Sequence, residues 1–177
     1  MSQRQVEADE PVNAVEQGSV ESTVVAEASQ MLSRRFGGEP ELSDIESLSG
    51  SGNAVVVRAR TAPSAFFPYR SVVIKYNPVT GHTIDDAALL REVVAYQFTT
   101  SLSEEVRPGP VLLAHDVDKR ILVLSDAGDG DTFADTLARS SEVERRDLLR
   151  GLGSALGKMH AGTASRKEDY DALLNRQ

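Results

Sequence analysis

Ser71-Val72-Val73-Ile74-Lys75-Tyr76 is a short apolar run, rich in β-branched residues, that ends beside a lysine. Such a run reads as a strand. A turn follows at 77–81, and a helix then begins near Thr83, which with Asp86 resembles a capping box. Leu90, Val94 and Phe98, flanked by Leu89, Val93 and Tyr96, carry that helix to about Leu102. Glu92 sits inside it. The fold reading turns on this pair: a lysine at the end of a buried strand and a glutamate in the next helix, which can hold the ammonium in place.

On the amino-terminal side, Ala54 to Arg60 (AVVVRAR) reads as a second strand, and Thr61 to Pro68, with two prolines, as the loop joining it to Ser71. Residues 42–48, with Leu42, Ile45 and Leu48, make a weaker strand, and Gly50-Ser51-Gly52-Asn53 is the turn after it. Val24, Val25, Ala28, Met31, Leu32 and Phe36 recur at helical spacing between a Ser19 cap and a stop at Gly37 and Gly38. Residues 1–18 are acidic with few large apolar groups and read as a disordered or loosely attached tail.

On the carboxy-terminal side, Val111 to His115 and Arg120 to Leu124 are two strands around a turn at Asp116 to Lys119. A Gly/Asp loop, Ser125 to Asp131, leads to a short helix over about 132–138. A longer helix starts at a Ser141…Glu144 capping box, carries Leu148, Leu149, Leu152, Leu156 and Met159, and ends at Gly162. Residues 163–177 are polar apart from Leu173 and Leu174. Short turns between strands favour antiparallel pairing. The expected class is α+β: about five antiparallel strands with the 83–102 helix packed on one face. Residues 1–18 are the tail, 19–125 one lobe, and 126–177 a hinge with the first helices of a second lobe.

Composition narrows the function. The chain has 177 residues, 40% hydrophobic and 26% charged, as suits a globular core. With 27 acidic and 19 basic side chains the net charge is -8, which disfavours nucleic-acid binding. No cysteine is present, so disulfides and thiolate metal sites are excluded. No apolar run nears the roughly 18 residues of a membrane span, and no secretory signal is evident. These features fit a cytoplasmic protein.

Three elements then suggest a chemistry. Glycines at 50 and 52 let a backbone approach phosphate oxygens. Lys75 can meet α- and β-phosphates, and Glu92 can hold it there. In this order the chain resembles the kinase-like fold, and the aminoglycoside phosphotransferase family most closely. Val72-Val73-Ile74-Lys75 looks like that family's strand-three lysine motif and Glu92 like its helix glutamate. Ile121-Leu122-Val123-Leu124-Ser125-Asp126-Ala127-Gly128 looks like its hinge strand, and Leu156-Gly157-Lys158-Met159-His160-Ala161 like the stretch before its second lobe.

The resemblance implies an amino-terminal nucleotide-binding lobe that takes ATP with Mg2+. Gly50, Ser51, Gly52 and Asn53 would lie at the phosphates, with Lys75 and Glu92. Adenine would stack on Val57, its edge bonded by the backbone of Ser125 and Ala127. The acceptor in a complete member would be a small hydroxyl-bearing or cationic molecule. Two features depart from the family. Val55 stands where a protein-kinase loop has its third glycine. None of His82, His115 and His160 begins a His-x-Asp-x-x-x-x-Asn loop, so no catalytic base or metal-binding aspartate is recognisable.

The expectation is therefore a lobe truncated before its catalytic residues and inactive alone. A stand-alone pseudokinase-like module and a nucleotide-free interaction protein are the other readings. The apolar stripe of the long helix, Leu149, Leu152, Leu156 and Met159, would be covered by a second lobe in the family; here it must fold back, pair with another chain or stay exposed, and a second copy or a partner is the expectation. The acidic string Asp126, Asp129, Asp131 and Asp135 reads first as a cap for the helix near Thr132, otherwise as a lure for a cationic substrate or a divalent ion.

Overall fold

A computed structural model describes residues 11–38, 40–48, 53–62 and 64–176, with the backbone path alone for 11–17. The elements are α1 (Pro11–Phe36), β1 (Leu42–Leu48), β2 (Val55–Thr61), β3 (Ser71–Tyr76), α2 (Thr83–Thr100), β4 (Leu112–Asp116), β5 (Ile121–Ser125), α3 (Phe133–Arg139), α4 (Glu142–Thr163) and α5 (Lys167–Leu174). The class is α+β. All five strands form one antiparallel sheet in the order β1-β2-β3-β5-β4.

Strand side chains alternate between faces, and the alternation sorts this sheet into two cores. Val57, Ala59, Val72, Ile74 and Val123 point to one side, where α1 lays Val24, Ala28, Met31 and Leu32 over them. Those four recur at three- and four-residue steps, so one stripe of α1 is buried. On the other side α2 presses Leu89 and Val93 onto Leu112, Leu122 and Leu124, with Val73 at the margin. The sheet is thus the middle of three layers. Burying each large aliphatic side chain contributes about 1.5–3 kcal/mol.

β1 is the edge. Its register with β2 shifts between Ser43 and Glu46, with Asp44 at a left-handed φ of 48°. A bulge with charged side chains blunts an edge that would otherwise template another strand. At the opposite edge, His115 of β4 sits with Nε2 3.0 Å from Gln97 Nε2 of α2.

Four local expectations are corrected. First, α1 begins at Pro11, so residues 11–18 are helical instead of a loose tail. Ser19 lies inside the helix, its carbonyl accepting from Thr23 Oγ1 at 3.0 Å. Proline suits a first helical turn, and a helix docked over its later turns extends through a polar start that would not be helical alone. The expectation for residues 1–10 lies outside the described residues.

Second, Thr83 does not cap α2: the N-cap is His82, with no side-chain cap bond. Thr80 acts instead, receiving the His82 amide at 3.3 Å and donating to Asp85. Third, α5 forms within the polar stretch after 163 because α2 offers it a surface. Phe98 and Tyr170 meet edge to face at 5.6 Å, and the Arg166 guanidinium lies 5.5 Å from the Phe98 ring centroid. Fourth, Thr132, not an aspartate, caps α3, accepting from the Asp135 amide. The Ser141–Glu144 capping box of α4 is present as expected.

His115 has a measurable consequence. Burial, and next the nearby Arg35 guanidinium, hold its pKa below the ordinary 6.5, with Asp116 opposing in part. A lowered histidine pKa stabilises the fold above the unfolded-state value, and the contribution is lost as pH falls toward the folded-state value. Urea unfolding at pH about 7.5 and about 5.5 should show stability falling on acidification, and falling less in His115→Gln. Equal losses in both proteins would remove His115 as the cause.

Candidate functional site

The unbroken register between β2 and β3 places Lys75 opposite Val56, and that between β3 and β5 places it opposite Leu122. Lys75 therefore shares the α2-facing side with Val73, while Ile74 faces α1. In α2, Leu89 and Val93 bury toward the sheet, which leaves Glu92 at the margin of that stripe. The two side chains paired by the sequence reading meet: Lys75 Nζ donates to Glu92 Oε1 at 2.6 Å. They are 26% and 25% exposed. A pair so open to water adds roughly 0–1 kcal/mol to the fold, so its main effect is to fix where the ammonium sits.

A cleft of about 330 Å3 opens around this pair, lined by Asn53 and Ala54 from the approach to β2, Asn77 and Thr80 from the β3–α2 connection, and Arg120. Arg120 was not singled out from the sequence. It ends the β4–β5 turn at a left-handed φ of 59°. Its Nε donates to the Asn77 carbonyl at 2.6 Å, and its guanidinium pairs with Asp86 of α2. It thereby ties the β3–α2 connection to the first turn of α2. No local signal marks it, because the contact exists only once the β4–β5 turn lies beside that connection. The cleft thus carries two cations, Lys75 and Arg120, against carboxylates at Glu92 and Asp85.

Of the other expected site residues, Asn53 joins Lys75 and Glu92 in this cleft. Gly50, Ser51 and Gly52 lie outside the described residues. Val57 is corrected: it is fully buried on the opposite face of the sheet, packed with α1. Val57 pairs with Ile74, which faces α1, and Val56 is the valine on the Lys75 side.

Ser125 and Ala127 do not line the cleft. The Ser125 amide donates to the Val111 carbonyl at 2.9 Å and its hydroxyl accepts from the Val111 amide at 2.8 Å. That amide is therefore spoken for, and a ligand edge cannot use it without breaking the bond. Ala127 lies exposed in the loop after β5.

That loop is held by the densest polar network among the described residues. Asp126 accepts from the Ser71 hydroxyl at 2.8 Å and the Gly128 amide at 2.9 Å. Arg58 of β2 reaches it from the same face: Nη2 lies 3.3 Å from Asp126 Oδ1 and donates to the Gly128 carbonyl at 3.0 Å. Nε lies 2.9 Å from Asp126 Oδ2 as an ion-pair contact, off the line of a hydrogen bond. Nη1 pairs with Asp129, and with Glu46 of β1 at 3.3 Å. Burial pushes the Asp126 carboxyl upward, but the Gly128, Ser71 and Arg58 bonds outweigh it and hold the pKa below the usual 3.8. The Arg58 pKa moves the other way: desolvation lowers it, but Asp126, Asp129 and Glu46 outweigh that and raise it.

The acidic string is thus largely neutralised from within, since Asp131 pairs with Arg139. No three His, Asp or Glu side chains converge to hold a metal ion among the described residues. No described helix is long and apolar enough to cross a membrane.

No known protein-family model matches the chain, and no curated protein matches it either.

Proposed function

We propose that the cleft at Lys75 and Glu92 binds the phosphates of a nucleotide, ATP in keeping with the resemblance, and that this chain is the nucleotide-binding lobe of a small-molecule phosphotransferase. The observation that carries the reading is the 2.6 Å contact between Lys75 Nζ and Glu92 Oε1 inside a cleft that also holds Asn53, which follows Gly50-Ser51-Gly52 in the sequence. An ammonium has three donors. Glu92 takes one and orients the group, leaving two for phosphate oxygens. Arg120, on the same cleft, adds a second positive charge near a polyphosphate. A volume of about 330 Å3 is at the small end for a ligand site and suits a chain of phosphates better than a whole nucleotide.

Bound ATP would supply a γ-phosphoryl group for transfer. The residues of this chain would bind and orient its phosphates and hold no proton in the transfer itself. Mg2+ fits poorly as a resident ion, because the described carboxylates do not converge. It belongs in this reading only as an ion carried in by the phosphates.

Titration calorimetry with ATP and Mg2+ tests the proposal. Binding should be weak, since a cleft of about 330 Å3 encloses the phosphates better than the whole nucleotide. Lys75→Ala should weaken it roughly 10- to 100-fold, the worth of a charge-assisted contact of about 1.5–3 kcal/mol. Unchanged affinity in Lys75→Ala would mean the nucleotide binds elsewhere.

A second reading, an interaction module, draws on one observation. Leu149, Leu152 and Leu156 of α4 are 54%, 41% and 44% exposed, and Val143 lies exposed on the same helix. Such a stripe favours a second copy or a partner. Sedimentation should show association rising with concentration and lost in the Leu152→Glu, Leu156→Glu double variant. A monomer at every concentration would leave the nucleotide reading standing alone.

A further inference from the structure

Resting on the nucleotide reading, we propose that Arg58 and Asp126 occupy the place of the nucleotide's base, so that the cleft accepts a polyphosphate and gains little from the base until that pair is broken.

Register places the residues. On the α2-facing side of the sheet, Val56, Lys75 and Leu122 form one row across β2, β3 and β5. The next row is Arg58, Val73 and Leu124. Beyond it lie Ser71 and the start of the loop that Asp126 opens. Rows two residues apart are separated by roughly 6.5–7 Å. A nucleoside whose phosphates rest at Lys75, and whose base turns toward the segment after β5, passes under the Arg58 row.

A base is a flat, largely apolar ring system, and a site for it needs apolar faces. The Lys75 cleft does not include Arg58, Val73 or Ser125 among its walls. The next row presents a guanidinium instead. Arg58 and Asp126 side chains are only 16% and 8% exposed. Gly128, at a φ of 95°, turns the loop back so that its carbonyl and Asp129 reach the guanidinium. The strip from β2 to the loop is thereby bridged by bonded polar groups. A base entering there must displace Arg58, and Asp126 would lose its cation while still buried, which is costly. The Ser125 amide, bonded to Val111, offers no compensating donor.

The test compares inorganic tripolyphosphate with ATP, both with Mg2+, by competition on the full chain. For the wild-type chain the two affinities should agree within about fivefold, because the base contributes little. A larger preference for ATP overturns the proposal. The Arg58→Leu, Asp126→Asn double variant removes both charges together, so no buried ion is stranded. It should bind ATP about tenfold more tightly with tripolyphosphate unchanged. No gain for ATP in a folded variant, shown by its preserved amide spectrum, overturns the proposal, and the wild-type comparison decides if the variant does not fold. Binding of neither ligand by the wild-type chain has a different meaning: the nucleotide reading itself fails, and this inference with it.

Discussion

Phe67→Ala is expected to lower stability by about 3–5 kcal/mol, the usual cost of emptying a buried aromatic site. Phe67 is 1% exposed although it belongs to the loop between β2 and β3. Its ring meets Phe36 at the end of α1 edge to face at 5.1 Å, and Tyr69 at 5.3 Å. Removing it strips the last turn of α1 of its anchor and opens the core beneath the sheet. Domains of this kind are stable by about 5–15 kcal/mol, so the variant should unfold at much lower urea, or fail to fold. A loss below about 1 kcal/mol would mean that α1 does not dock through this ring.

The second large effect concerns activity. The purified chain is expected to transfer no phosphoryl group, releasing no ADP above background with aminoglycosides, amino alcohols or sugars. Phosphoryl transfer depends on positioning and on charge stabilisation at the moving group. The cleft has an oriented ammonium at Lys75. It has no His-x-Asp-x-x-x-x-Asn sequence to place a base at the acceptor hydroxyl. General-base assistance contributes about 10²–10⁴-fold, so turnover without a recognised base is expected to stay at background. Robust turnover that disappears in Lys75→Ala would contradict this and demand a base from residues with no recognised motif.

The strands and the Lys75–Glu92 pair were legible because they rest on local pattern. β-branched runs separated by turns located β2 and β3, and the apolar spacing around Glu92 located α2. What was misplaced depends on phase or on distant partners. Val57 was assigned to the cleft through the resemblance, yet a one-residue slip moves a strand residue to the other face, and the pairing of Val56 with Lys75 decides it. The acidic string suggested a helix cap, but Asp126 is claimed by Arg58, 68 residues away, and by Ser71. Arg120 and Asp86 likewise meet over 34 residues. α5 was overlooked because its helical form rests on the Phe98 ring of α2 more than on its own polar sequence.

The most direct test of the nucleotide cleft is the backbone amide spectrum of the isotope-labelled chain, recorded while ATP and Mg2+ are added. Dose-dependent shifts centred on residues 53–56, 75–77 and 88–92 are the expected result, with little change along α4 and α5. Shifts confined to other surfaces, or none at millimolar nucleotide, would contradict nucleotide binding at Lys75 and Glu92.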